Sequence, residues 1–110
     1  MAVGTQFLYR LTPTRAAMLS DAPTDREAET VARHFAYLED LTRAGVVHLA
    51  GRTDTADAET FGIVVFSAKD EKEARERMLA DPAVRDGVMN AVLYPFRVAL
   101  WSAMDEEARR

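Results

Sequence analysis

The chain carries two histidines, His34 and His48, and no cysteine, so proton transfer near neutral pH has few candidate bases and thiolate chemistry has none. Val31, Phe35, Leu38 and Leu41 recur at helical spacing, and at about 100° per residue His34 falls between Leu38 and Leu41, on the stripe that would face a sheet. Asp81 lies in Ala80-Asp81-Pro82-Ala83-Val84, at the end of a second predicted helix. An aspartate bonded to one imidazole nitrogen fixes the tautomer and raises the ring's basicity, which leaves the other nitrogen to take a proton. If the end of the second helix adjoins the inner face of the first, His34 and Asp81 form an acid/base dyad. The same residues also have a purely structural reading: a core histidine satisfied by backbone or carboxylate, and an N-cap aspartate with proline at the first helical position of a single turn ended by Gly87.

Further candidates are polar or aromatic. His48 and Arg52 share a strand parity if the strand runs on through Gly51-Arg52-Thr53, so both are expected on one side. There Arg52 would present a fixed cationic fork to a carboxylate or phenolate-like substrate; otherwise it is a solvated loop arginine, and His48 an exposed or interface histidine. Tyr9, Tyr37 and Tyr94 either line a pocket or pack in the core and interface. The chain has no phosphate-cradling glycine loop, no GxSxG elbow, no HExxH and no clustered metal ligands, so neither a metal nor a cofactor is expected. The acidic runs Asp70-Glu71 and Asp105-Glu106-Glu107 read as helix-start and tail charges.

The elements that must position these residues follow from local pattern. Gln6–Leu11 is a short strand stopped by Thr12-Pro13, and the segment from Thr12 to Pro23 reads as a loop. Thr24 with Glu27 has the form of a capping box that opens a helix from Thr24 to Ala44, ended by Gly45. Val46–Ala50 and Phe61–Phe66 read as strands on either side of the polar stretch Thr53–Thr60. Asp70 with Glu73 caps a second helix carrying Ala74, Met78 and Leu79, and Ala91–Trp101 is a last strand in which Pro95 marks an edge, a bulge or a bend.

The order β-α-β-β-α-β is the ferredoxin-like arrangement, an α+β fold with two helices on one face of a four-stranded antiparallel sheet. Ile63 to Phe66 and Val98 to Trp101 are apolar on both strand faces, so the sheet face without helices needs a cover. A second copy of the chain supplies that layer in a symmetric homodimer.

Length and composition bound the function. At 110 residues there is room for a single domain spanning 1–110, with a core from about residue 5 to 101 and a polar tail at 102–110. The 14 basic residues against 18 acidic ones argue against nucleic acid as a partner. Met1 to Leu11 has no signal-peptide pattern, and no segment approaches the roughly 18 apolar residues of a membrane span. The cytoplasm is the expected location, and a membrane is not an expected partner.

The stretches HFAYLEDLTRAGVVHLAGRT, FGIVVFSAKDEKEARERMLADPAV and GVMNAVLYPFRVAL together resemble the YciI-like (YCII-related) domain, a branch of the dimeric α+β barrel proteins. The similarity runs from about His34 to Leu100 and rests on a histidine in the first helix, a helix-ending glycine, a second glycine after the next strand and an Asp-Pro pair after the second helix. It implies a small dimer whose paired sheets form a barrel, and it aligns His34 and Asp81 with the family's active-site pair. Arg52 stands where many members carry proline after the glycine, which implies a subgroup with an anionic substrate. The expected function is a small cofactor-independent enzyme, an isomerase or lyase of a small anionic or aromatic molecule. The alternative is a non-catalytic homodimer that binds a metabolite or a protein, in which the pair is structural.

Overall fold

The computed structural model describes residues 5–55 and 57–101. The elements in order are β1 (Thr5–Pro13), α1 (Ala17–Ser20), α2 (Asp25–Arg43), β2 (Val47–Arg52), β3 (Gly62–Ala68), α3 (Glu71–Ala80), α4 (Pro82–Arg85) and β4 (Met89–Pro95). The four strands form one antiparallel sheet in the order β2-β3-β1-β4. This is the βαββαβ arrangement, with α1 and α4 added as single turns. The polar tail 102–110, including Asp105 to Glu107, lies outside the described residues.

Strand alternation builds the core. Phe7, Tyr9 and Leu11 of β1 and Val64, Phe66 and Ala68 of β3 point to one face, where Leu38 of α2 and Ala74 and Met78 of α3 close over them. Helix α2 opens with the full capping box: Thr24 Oγ1 accepts from Glu27 N at 3.1 Å, and Glu27 Oε1 accepts from Thr24 N at 2.8 Å. Gly45 follows its last turn at φ +78°, a conformation that a side-chain-bearing residue adopts only at a cost. Asp70 caps α3 by accepting from Glu73 N, while Glu73 reaches back to Lys69 N rather than to the cap itself.

Three expectations change. Phe35, placed on the inner stripe by its spacing, is 66% exposed, and Leu79 is 53% exposed. Among the described residues neither side chain is buried, so the spacing that places them on an apolar stripe does not carry them into the core. The last strand stops at the edge residue Pro95, and residues 96–101 form no strand, so Val98 to Trp101 contribute no sheet face. Proline has no N–H to carry the ladder on; Phe96 N adds one last bond, to Gln6 O. The loop from Thr12 to Pro23 gives its first two residues to β1 and folds Ala17–Ser20 into a helical turn that buries Met18.

The face of the sheet away from the helices carries Leu8, Ile63, Val65, Val92 and Tyr94 by register. Val92 and Tyr94 are about half exposed there, at 48% and 46%. Among the described residues no helix is long and apolar enough to cross a membrane.

Candidate functional site

Asp81 is built into the corner between α3 and α4. It ends α3, its N–H bonding back to Met78 O, and it caps α4, its Oδ1 accepting from Ala83 N at 3.0 Å with Pro82 at the first helical position. Gly87, at φ +77°, turns the chain out of α4 toward β4. The carboxylate is fully buried, which requires partners for its lone pairs. Tyr9 donates its hydroxyl to Oδ2 at 2.7 Å, and His34 Nδ1 lies 2.7 Å from Oδ1 and 2.9 Å from Oδ2. One carboxylate therefore joins β1, α2 and α4.

The His34 ring is 13% exposed and stands on the wall of a cleft of about 950 Å³ between α2 and the β2–β3 end of the sheet. No described residue bonds to its Nε2. An ionised carboxylate only accepts, so with Asp81 ionised Nδ1 carries the hydrogen and the neutral ring keeps its lone pair on Nε2. Burial, followed by the charge and hydrogen bond of Asp81, holds the Tyr9 phenol far above its ordinary range, so Tyr9 acts as a donor throughout. Tyr37, also raised by burial and then by the charge of Asp81, donates to Arg77 O at 2.7 Å and ties α2 to α3.

A bulge redistributes the strand residues. Val47 pairs with Phe66 and Leu49 with Val65, so two residues of β2 span one step of β3. His48 consequently faces away from the helices, with Nε2 2.7 Å from Ser67 Oγ and its ring 6.3 Å from that of Trp101. Arg52 pairs with Gly62 on the helix side and lines the cleft. The common side expected for His48 and Arg52 is thus lost to one extra residue. Tyr94, opposite Leu8, lies on the outer face with His48, and Tyr37 is engaged between helices. Of the candidate residues the cleft gathers His34, with Asp81 behind it, and Arg52. Tyr9 as the second donor to Asp81 had no sequence signal beyond its inward parity.

Among the described residues no group of three or more His, Asp or Glu side chains is arranged to hold a metal ion. The antiparallel sheet with its two main helices on one face is the ferredoxin-like α+β fold. The YCII-related domain matches residues 8–97, and the chain belongs to that family.

Among solved structures, 5-chloro-2-hydroxyhydroquinone dehydrochlorinase (TftG) from Burkholderia phenoliruptrix AC1100, in complex with 2,5-dihydroxybenzoquinone, is similar at 21% identity over 84% of this chain and 93% of that one, with a TM-score of 0.63. SnoaB, a cofactor-independent oxygenase from Streptomyces nogalater, is similar at 18% identity over 87% of this chain and 95% of that one, with a TM-score of 0.43. No curated protein matches.

Proposed function

We propose that this chain is a cofactor-independent enzyme that moves a proton on a small organic molecule, in an isomerisation or an elimination of the lyase type. The observation that carries the reading is His34, held at Nδ1 by a buried carboxylate while Nε2, unbonded by any described residue, belongs to a ring on the wall of a cleft of about 950 Å³. Nε2 takes a proton from an acidic C–H, and the electron pair left behind delocalises into an adjacent carbonyl or expels a leaving group. Asp81 offsets the charge of the imidazolium so formed, and in an isomerisation the same proton returns to a neighbouring carbon. The dehydrochlorinase of like fold holds a single-ring quinone, and a molecule of that size fits the cleft.

The test is solvent exchange: wild type and His34→Ala are incubated in D2O with a panel of enolisable ketones and hydroxylated quinones, and deuterium uptake is followed by NMR. Uptake catalysed by wild type and lost in a folded His34→Ala protein is expected; full activity in the variant overturns the mechanism. Burial of Asp81 beneath Tyr9 and Ala83 N favours a second reading, a binding domain in which the pair is structural. Binding of the panel without any exchange by wild type would select it.

A second copy of the chain is proposed to cover the outer sheet face, where Leu8, Ile63, Val92 and Tyr94 form an apolar surface. Sedimentation as a monomer at micromolar concentration would contradict this. The cysteine-free composition supports a cytoplasmic site of action.

A further inference from the structure

The charges around the cleft do not cancel. Its charged lining residues besides His34 are Glu39, Arg43 and Arg52, two guanidiniums against one carboxylate, in a chain whose formal net charge is −4. Arg43 is engaged, with Nη2 3.1 Å from Glu39 and Nη1 3.3 Å from Asp40. The Arg52 side chain has no hydrogen bond or ion pair with any described residue, although Asp54, Asp57 and Glu59 follow in the same loop. Its fork of donors is therefore unspent, and the bulge at Val47/Leu49 sets the phase that turns it to the helix side. The same cleft is otherwise lined largely by apolar side chains, among them Leu19, Val31 and the exposed Phe35. A lone cation at the rim of an apolar concavity attracts a negative head and offers an unhydrated wall to the rest of the molecule.

We propose that the cleft selects small organic anions: a carboxylate or phenolate sits on Arg52, the apolar body of the ligand lies against Phe35 and Val31, and Arg52 sets the preference for charge. This rests on the reading of the cleft as a small-molecule site given above. It adds the class of ligand and the residue that recognises it.

The experiment uses two probes of nearly equal shape, benzoate and benzamide, titrated into the full chain and followed by amide chemical shifts. Wild type is expected to bind benzoate about tenfold more tightly than benzamide, the scale of one charge-assisted fork. Arg52→Gln should bring the two affinities within about twofold of each other, and Arg52→Lys, which keeps the charge and loses the planar fork, should restore part of the preference. His34→Ala should keep it. Equal affinities in wild type, no binding of either probe, or a preference that survives Arg52→Gln each overturns the proposal. A preference lost only in His34→Ala would move the anion site to the imidazole and overturn it as well, leaving proton transfer standing. Absence of deuterium exchange with the benzoate preference intact would sink the enzyme and leave the anion site.

Discussion

Tyr9 and Asp81, 72 positions apart in the chain, meet in a buried hydrogen bond of 2.7 Å from the phenol oxygen to Oδ2. The same Oδ2 lies 2.9 Å from His34 Nδ1, so the tyrosine and the histidine share one acceptor. Tyr9 is itself held edge-on against Phe66, with ring centroids 5.6 Å apart. The carboxylate therefore has a rigid donor on the sheet side and an imidazole on the cleft side.

Tyr9→Phe removes that donor and leaves the packing against Phe66 in place. The buried oxygen loses a partner that water does not replace, so a loss of about 1–3 kcal/mol is expected by urea denaturation. Unchanged stability would mean that the bond carries no net weight.

Asp81→Asn keeps the size and the helix cap but sets an amide N–H against either Tyr9 or His34. Asparagine caps helices as well as aspartate does, so the thermal stability should fall less than in Asp81→Ala. The imidazole loses its anionic partner at Nδ1, and deuterium exchange is expected to slow by about 10²- to 10⁴-fold, the usual weight of a positioned general base. Nitrogen-15 NMR of the ring should show a changed tautomer; an unchanged rate would remove Asp81 from the mechanism.

Glu27 links acid stability to the start of α2. Its carboxylate accepts from Arg15 Nε at 2.8 Å and from Arg15 Nη2 at 2.7 Å, and Arg15 first, then the Thr24 amide, lowers its pKa from 4.5 to about 2. A pKa depressed on folding gives stability that is fully present above 4.5 and lost as the pH falls through about 2. Melting temperatures measured from pH 6 down to about pH 2 should fall less steeply in Glu27→Gln than in wild type. Parallel curves would show that the pair adds nothing to acid stability.

Gly87→Ala should cost about 1–2 kcal/mol, from backbone alone. At φ +77° a side chain is strained, yet a Cβ there meets no atom within 4 Å. Gly51→Ala is the control: it also has open space, without the positive φ, and is expected to stay within about 0.5 kcal/mol of wild type in the same denaturation assay.

Local chemistry made much of the architecture legible. The Thr24/Glu27 box and Gly45 bound the main helix within a residue, and Asp81-Pro82 marks the one-turn helix, because caps and stops act over a few residues. The meeting of His34 with Asp81 was anticipated from residue types and resemblance, since each sits at a recognisable place on its element. The bulge was not legible. VVHLAGR reads as an unbroken strand, and only the partner register reveals that His48 and Arg52 part company. Nor was the end of β4, where the apolar run continues beyond Pro95 but the strand does not, or the bond from Tyr9, which depends on two elements distant in the chain.

Asp81 receives its donors from β1, α2 and the first turn of α4, so the orientation of the His34 ring belongs to the finished tertiary structure and not to the helix that carries it. A nascent or partly opened chain with α2 already wound carries an imidazole free to spin. The direction in which the His34 ring points is thus a property of the completed fold, set only once three separate elements have met at one carboxylate.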